Sequence, residues 1–201
     1  MSTSPTRRRT RRLSTRALLI IAAFGALGAL LLILVAPVTG LLAALFPPAY
    51  ALAAGMHSIL PFLARRLVGF PWTTTIAFSL VGLLAIGFTP LGALILIPLV
   101  VAGVGFDVTL LALGRRGTLR PWHYVVGALV TAVLLFLVSL PVMSPDDLAA
   151  PILLLTLLGR VVSQLAAAGI AWLLSDRVLR AGIMRAPTGD RGDGAEPALR
   201  H

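Results

Sequence analysis

Six long apolar stretches, separated by short polar or proline-containing connections, dominate the sequence. A helix rises about 1.5 Å per residue and the hydrocarbon core of a bilayer is roughly 30 Å thick, so about 17–25 apolar residues form one membrane span. The pattern therefore predicts an all-α, polytopic membrane protein with six transmembrane helices. The predicted spans are residues 17–36, 41–64, 72–88, 91–113, 124–140 and 151–174.

Arg residues occupy alternate connections, and this alternation predicts the orientation of the spans. Six Arg residues precede the first span, and others lie at 65–66, at 115–120 and beyond residue 176. The remaining connections contain no Arg, and the last of them holds Asp146 and Asp147. Because positive residues are retained on the cytoplasmic side, we expect both termini in the cytoplasm and a multi-pass location in the cell membrane.

The composition supports a single membrane domain. Only 12% of the residues are charged and 58% are hydrophobic, whereas a soluble domain has about 25% charged residues. We expect a transmembrane domain at 16–182 between two disordered cytoplasmic tails, 1–15 and 183–201, which lack apolar periodicity. The basic first tail is expected to lie on anionic lipid. The net charge of +10 lies in tails and connections, so nucleic-acid binding is not expected.

The predicted spans contain too few reactive side chains for an enzyme. They offer one Asp, one Arg, one His and scattered Ser and Thr residues, and the chain has no Cys. Neither a nucleophile with its base, nor paired acids, nor a metal cluster is apparent. All basic residues are Arg, so a phosphate-binding P-loop, which requires Lys, is excluded. We expect no catalytic residue, no metal and no cofactor.

Arg160 is the first candidate binding residue. It lies nine residues into the sixth predicted span, about 14 Å from the outer end by helical rise. A charge at that depth must face the bundle interior or water. Thr156 and Gln164 lie one turn to either side, with Ser163 near the same face. These residues indicate either an interhelical hydrogen-bond network or a ligand site in which Arg160 holds an anionic or carbonyl group.

His57 and Asp107 form a second candidate cluster. They lie seven and six residues from the cytoplasmic ends of the second and fourth predicted spans, so their depths are similar, roughly 10 Å. They are expected to form a buried polar pair. The pair is either structural or a proton relay, because ionisable groups inside membranes are often functional.

Small and aromatic residues predict how the helices are placed. Ala22, Gly25, Ala26 and Ala29 share one face of the first span, which permits close approach of another helix, either inside this bundle or on a separate subunit. Pro47-Pro48 predicts a kinked or partly unwound outer half of the second span, which could border a cavity. Three aromatic residues at predicted cytoplasmic ends are expected to anchor spans at the headgroup layer: Trp72, Trp122 and Tyr124.

The sequence resembles the substrate-binding S components of energy-coupling factor (ECF) vitamin transporters over roughly residues 16–182. The resemblance rests on the six-span layout, on the Ala22-x-x-x-Ala26 pattern and on the Phe-Pro-Pro-Ala-Tyr-Ala-Leu segment at 46–52, which contains Tyr50 and is most similar to the type specific for thiamine or its hydroxymethylpyrimidine precursor. It implies a vitamin site in the outer half of the bundle and a complex with one transmembrane coupling (T) subunit and two ATPases. It also implies that Ala22 and Ala26 dock on the coupling subunit.

Two other functions remain open from the sequence. One is a self-sufficient secondary transporter coupled to protons through Asp107 and His57. The other is a non-transport scaffold subunit that uses its small-residue faces only for helix association. Within the ECF hypothesis, substrate contacts are expected from Arg160, Gln164, Thr156 and Tyr50, although a fixed Arg fits a cationic thiamine poorly.

Overall fold

A computed structural model of the chain describes residues 13–114 and 119–182. The described residues form seven α-helices, some joined by short 3-10 turns, and contain no β-strand. The predicted all-α class is confirmed. The predicted tails lie almost entirely outside the described residues, so the domain boundaries remain a prediction.

Helix α1 (Thr15–Leu45) is longer than the sequence pattern predicts. It begins where the Ser14 hydroxyl accepts a hydrogen bond from the Ala17 backbone N–H at 3.2 Å, an N-cap interaction. The connection predicted at 37–40 is wrong, because this segment is helical. Pro37 lacks the N–H that would bond the Ile33 carbonyl, and membrane helices tolerate such a gap. The Thr39 hydroxyl donates to the carbonyl oxygens of Val35 and Ala36 at 3.2 Å, within the same helix.

The chain reverses at Phe46 and then forms two consecutive helices, α2 (Pro47–Ala54) and α3 (Met56–Val68). Proline is favoured in a first turn, where its missing N–H would have no partner, so Pro47-Pro48 starts a new helix. The kink predicted from Pro47-Pro48 is not found at the prolines, and the helix is interrupted at Gly55 instead. Helix α3 ends at Gly69, whose φ of 70° is the left-handed conformation that favours glycine.

Four further helices complete the fold. The connection between the next two helices covers residues 86–95 and includes two 3-10 turns, Ile86–Phe88 and Gly92–Ile95. The two-residue connection predicted at 89–90 is therefore too short. The remaining helices are α4 (Thr73–Ala85), α5 (Leu96–Leu113), α6 (Pro121–Ser139) and α7 (Ala150–Arg180).

The helices pack as a ring. Helix α1 packs against α4, α4 against α5, α5 against α6, and α6 against α7, while α2 and α3 close the ring between α7 and α1. Helix α3 also crosses to α4. The connections at residue 46, 86–95 and 140–149 lie at one end, which we call the chamber end. The opposite end, with residues 69–72 and the end of α7, is called the closed end.

Aromatic side chains fill the interior toward the closed end. Phe62 stacks on Phe106 with ring centroids 3.9 Å apart, Tyr124 meets the edge of Phe106 at 5.2 Å, and Trp172 lies 5.3 Å from Tyr124. Tyr124 is only 1% exposed. Its predicted role as an interfacial anchor is therefore wrong, because an aromatic ring near a helix end can equally face the core.

The described residues include four helices long and apolar enough to cross a membrane: Thr15–Leu45, Gly92–Leu113, Pro121–Val142 and Ala150–Arg180. Thr73–Phe88 is a shorter apolar helix. Large apolar side chains such as Leu19, Leu30 and Leu34 are more than 60% exposed on the outside of α1. Such surface is stable in lipid and unusual in water. The chain is thus a multi-pass membrane protein.

Candidate functional site

A cavity of about 490 Å³ lies inside the ring at the chamber end. Cavities that hold small ligands usually measure about 300–1,000 Å³ and combine apolar walls with a few polar groups. The walls here are mostly apolar, with Leu32, Phe78 and Leu99 among them. The polar lining residues are Thr39, Tyr50, His57, Ser58, Thr89 and Arg160.

A second cavity of about 220 Å³ adjoins the first. Tyr50 and Arg160 line both cavities, so they stand at the junction. The smaller cavity also contacts Thr156 on α7, and Ser144 and Asp147 on the turn before α7. We call the two cavities together the chamber. The Ser144 hydroxyl lies 2.7 Å from the Asp147 carboxylate and donates a hydrogen bond to it.

Small residues place Tyr50 against Arg160 by letting α2 approach α7 closely. A Cβ atom at Gly55 would lie 2.6 Å from the carbonyl oxygen of Ser163, so only glycine fits there. A Cβ atom added at Gly159 would lie 3.0 Å from the carbonyl oxygen of Pro48. The Ser163 hydroxyl donates to the Ala51 carbonyl at 2.9 Å. Ser163, which the sequence places near the same helix face as Arg160, thus joins α2 to α7 by a hydrogen bond.

Arg160 is 5% exposed, and its guanidinium carbon lies 5.0 Å from the centre of the Tyr50 ring. This distance is within the range of a cation–π interaction. Its Nε atom is buried without a hydrogen-bond partner among the described residues. Arg160 is therefore a buried cation that faces the chamber and has spare hydrogen-bond donors.

The other predicted contacts on α7 differ in their positions. Thr156 lines the smaller cavity, although its hydroxyl donates to the Ile152 carbonyl at 2.7 Å. Gln164 is fully buried and lines neither cavity. Both polar atoms of its amide have no partner among the described residues. The structure thus brings together Arg160, Thr156 and Tyr50, whereas Gln164 lies deeper in the bundle.

His57 and Asp107 do not form the predicted pair. Asp107 accepts hydrogen bonds from Arg65 Nε at 3.0 Å, and from the Thr75 backbone N–H and hydroxyl at 2.8 and 2.9 Å. His57 lines the larger cavity, and its Nε2 atom has no partner in the described structure. Similar depth had suggested the pair, but depth does not determine which way two side chains face.

Several chamber residues were not identified from the sequence. The sequence pattern places Thr39 in a connection and Thr89 in a two-residue turn. Ser58 and Phe78 carry no distinguishing signal, because scattered serines and many apolar residues occur throughout the spans. Their shared signal is position, since all lie within about three turns of a connection at the chamber end. Within residues 13–114 and 119–182, no group of three potential ligands could hold a metal ion.

The small-residue face of α1 divides into two parts. Gly25 packs against α4, where an added Cβ atom would lie 2.8 Å from Leu80 Cβ, and Ala29 is 2% exposed. Ala22 and Ala26 are exposed on the surface of the bundle. Part of the face therefore serves internal packing, and the two alanines proposed for docking remain accessible.

Comparison with known proteins gives one structural likeness. No family model matches the sequence, and no match is found among curated proteins. A crystal structure of an S component of an ECF transporter superposes with a TM-score of 0.77 at 20% sequence identity, over 86% of this chain and 88% of that chain. The fold that the sequence resemblance implied is confirmed. The chain has the fold of an ECF transporter S component.

Proposed function

We propose that the chain is the substrate-binding subunit of an ECF-type importer. The observation that carries this proposal is the chamber, in which a few polar groups lie among otherwise apolar walls. That arrangement suits capture of one small solute, and the shared fold with an S component supports the same role. The proposed role is binding and not catalysis.

The proposed membrane arrangement has six crossings, with α2 and α3 together forming the second. The chamber end faces outside and the closed end faces the cytoplasm. Arg177 and Arg180 lie at the closed end, whereas Asp146 and Asp147 lie at the chamber end. Arg65 no longer supports the orientation, because it is buried in an ion pair with Asp107. The remaining charge asymmetry still follows the positive-inside rule.

Labelling of introduced cysteines tests this orientation directly, since the chain contains no Cys. Ser144 is exposed at the chamber end and Arg180 is exposed at the closed end. We expect a membrane-impermeant thiol reagent to label Ser144→Cys in intact cells, and Arg180→Cys only after permeabilisation. The reverse pattern would invert the proposed topology.

The proposed solute is a vitamin or vitamin precursor. The sequence resemblance points to thiamine-related compounds, and among these Arg160 disfavours the cationic thiamine itself. A melting-temperature screen of the purified protein against vitamins and precursors tests the proposal. Stabilisation by one compound, with saturable binding, is the expected result.

Arg160→Met is expected to weaken solute binding about tenfold to hundredfold. The variant removes a charge-assisted hydrogen bond, typically worth about 1.5–3 kcal/mol, and keeps a long apolar side chain for helix packing. Affinity and melting temperature should be measured on one preparation. Arg180→Met, on the same helix but at the closed end, serves as the matched control and should bind normally.

The two measurements separate a binding role from a structural one. If Arg160 only stabilises the fold, the variant will melt at lower temperature while the folded fraction binds the solute with unchanged affinity. Unchanged affinity would remove Arg160 from the proposed site.

The proposed partners are one transmembrane coupling subunit and two ATPases. The chain has no Lys for a P-loop of its own, so ATP-driven uptake needs separate ATPase subunits. The exposed alanines of α1 offer a surface for the coupling subunit.

A further inference from the structure

Arg160 forms no ion pair with a carboxylate among the described residues. Four acidic residues lie in the described part of the chain. Asp107 pairs with Arg65, Asp176 pairs with Arg66, and Asp146 and Asp147 lie on the turn before α7. An isolated buried cation is expensive, because transfer out of water costs several kcal/mol unless an opposite charge or strong hydrogen bonds offset it.

His57 adds a second nitrogen-containing side chain to the lining of the larger cavity. It lies in the first turn of α3, two residues after Gly55, and lines the larger cavity together with Arg160. Its buried Nε2 atom makes no hydrogen bond to a described residue. The larger cavity is lined by both His57 and Arg160 and by no acidic residue.

These features discriminate between solutes by charge. A cationic group in the chamber would meet Arg160 in a low-dielectric environment, where like charges repel strongly. A neutral group would accept a hydrogen bond but leave the charge uncompensated. An anionic group would offset the charge and could accept bonds from both side chains, since guanidinium binds carboxylate and phosphate groups particularly well.

We propose that the captured solute is anionic, with its carboxylate or phosphate held between Arg160 and His57 and its apolar body against the chamber wall near Phe78. This inference rests on the proposed function and specifies the substrate class of the same site. Asp147 is the competing partner for Arg160, because it lines the smaller cavity, where its carboxylate already accepts the Ser144 hydroxyl.

Matched pairs of anionic and neutral compounds test the substrate class. The probes are nicotinate with nicotinamide, biotin with biotin amide, pantothenate with pantothenol, and hydroxymethylpyrimidine phosphate with hydroxymethylpyrimidine, together with cationic thiamine. We expect at least one anion to raise the melting temperature and to bind at least about tenfold more tightly than its neutral counterpart, as expected for one charge-assisted hydrogen bond.

Two variants assign the selectivity to the proposed residues. His57→Leu should reduce the affinity for the selected anion about tenfold and leave its neutral counterpart nearly unaffected. Asp146→Asn, at an exposed position on the same turn that lines neither cavity, is the matched control and should leave anion binding unchanged. An anion preference that persists in His57→Leu would exclude His57 from the contact.

A panel in which no anion binds, or in which thiamine or a neutral compound binds more tightly than every anion, would overturn the anionic class. Binding of a neutral or cationic probe would leave the proposed capture function intact. A protein that no probe stabilises and that fails to copurify with a coupling subunit would contradict the proposed function itself.

Discussion

Replacing Asp107 with Asn is expected to destabilise the protein by about 3–5 kcal/mol, the usual cost of removing one partner from a buried ion pair. Arg65 is 4% exposed and Asp107 is fully buried, so the remaining guanidinium would lose its counter-charge without gaining water. Marginally stable proteins lose most of their stability at such a cost. Thermal unfolding in detergent measures the change.

The pair connects three helices, and this explains the size of the expected effect. Arg65 lies on α3 and Asp107 on α5, and Thr75 in the first turn of α4 donates two hydrogen bonds to Asp107. The early backbone N–H groups of a helix lack intrahelical partners, and α4 has no side-chain cap of its own from Trp72. Asp107 therefore caps α4 from a neighbouring helix.

A double variant provides the control. Arg65→Met with Asp107→Asn removes both charges and retains an amide oxygen for the Thr75 N–H, so it should recover most of the lost stability. This rescue is expected because a complete ion pair can often be replaced by uncharged residues at little cost. A single Asp107→Asn variant that melts at the wild-type temperature would contradict the structural role.

The same variants address the alternative of proton-coupled transport. Asp107 lines neither cavity, and its carboxylate is bonded to Arg65 and Thr75. A proton carrier needs a carboxylate that exchanges protons with a water path. If the double variant folds but loses proton-dependent solute uptake, the secondary-transporter hypothesis would regain support.

The apolar pattern predicted which segments are helical better than it predicted where each helix begins and ends. Runs of leucine and alanine identify membrane helices because lipid requires an apolar exterior along the full span. Proline misled the placement of connections, since Pro37 lies inside α1, whereas Pro47-Pro48 begins α2. The two cases differ in position, because Pro47 and Pro48 occupy the first turn of a helix, where a missing N–H costs no hydrogen bond, whereas Pro37 lies in a helix interior.

The candidate site was predictable to the extent that charge is expensive in a membrane. That argument identified Arg160, which the structure places at the junction of the two cavities. It could not identify the partner of Asp107, because Arg65 had been assigned to a cytoplasmic connection. A helical residue next to a connection can point inward, and only packing determines which way it faces. Gln164 shows the same limit, since it shares a stripe with Arg160 but lies outside both cavities.

Helix α1 presents the proposed docking surface beside a stripe that is already occupied. Gly25 and Gly28 pack directly on α4, and added Cβ atoms there would lie 2.8 and 2.7 Å from Leu80 and Val81 side chains. Ala22 and Ala26 are exposed next to this stripe, one turn apart. Association of helices in lipid depends on close van der Waals contact, which small residues permit. Two accessible alanines at this spacing suit a helix of the coupling subunit.

Replacing both Ala22 and Ala26 with Leu is expected to abolish copurification with the coupling subunit and ATPases while solute binding stays within about twofold of wild type. The larger side chains would hold the partner helix away and forfeit the close contact on which association depends, whereas the lipid-facing surface tolerates Leu. Ala166→Leu, at an exposed position on α7, is the matched control and should leave the complex intact.

Gly25→Leu provides a contrast, because Gly25 packs against α4 inside the bundle. This variant is expected to lose thermal stability and solute binding. If the double alanine variant behaves like Gly25→Leu, the alanines support the bundle itself. If it copurifies normally, the coupling subunit docks elsewhere on the chain.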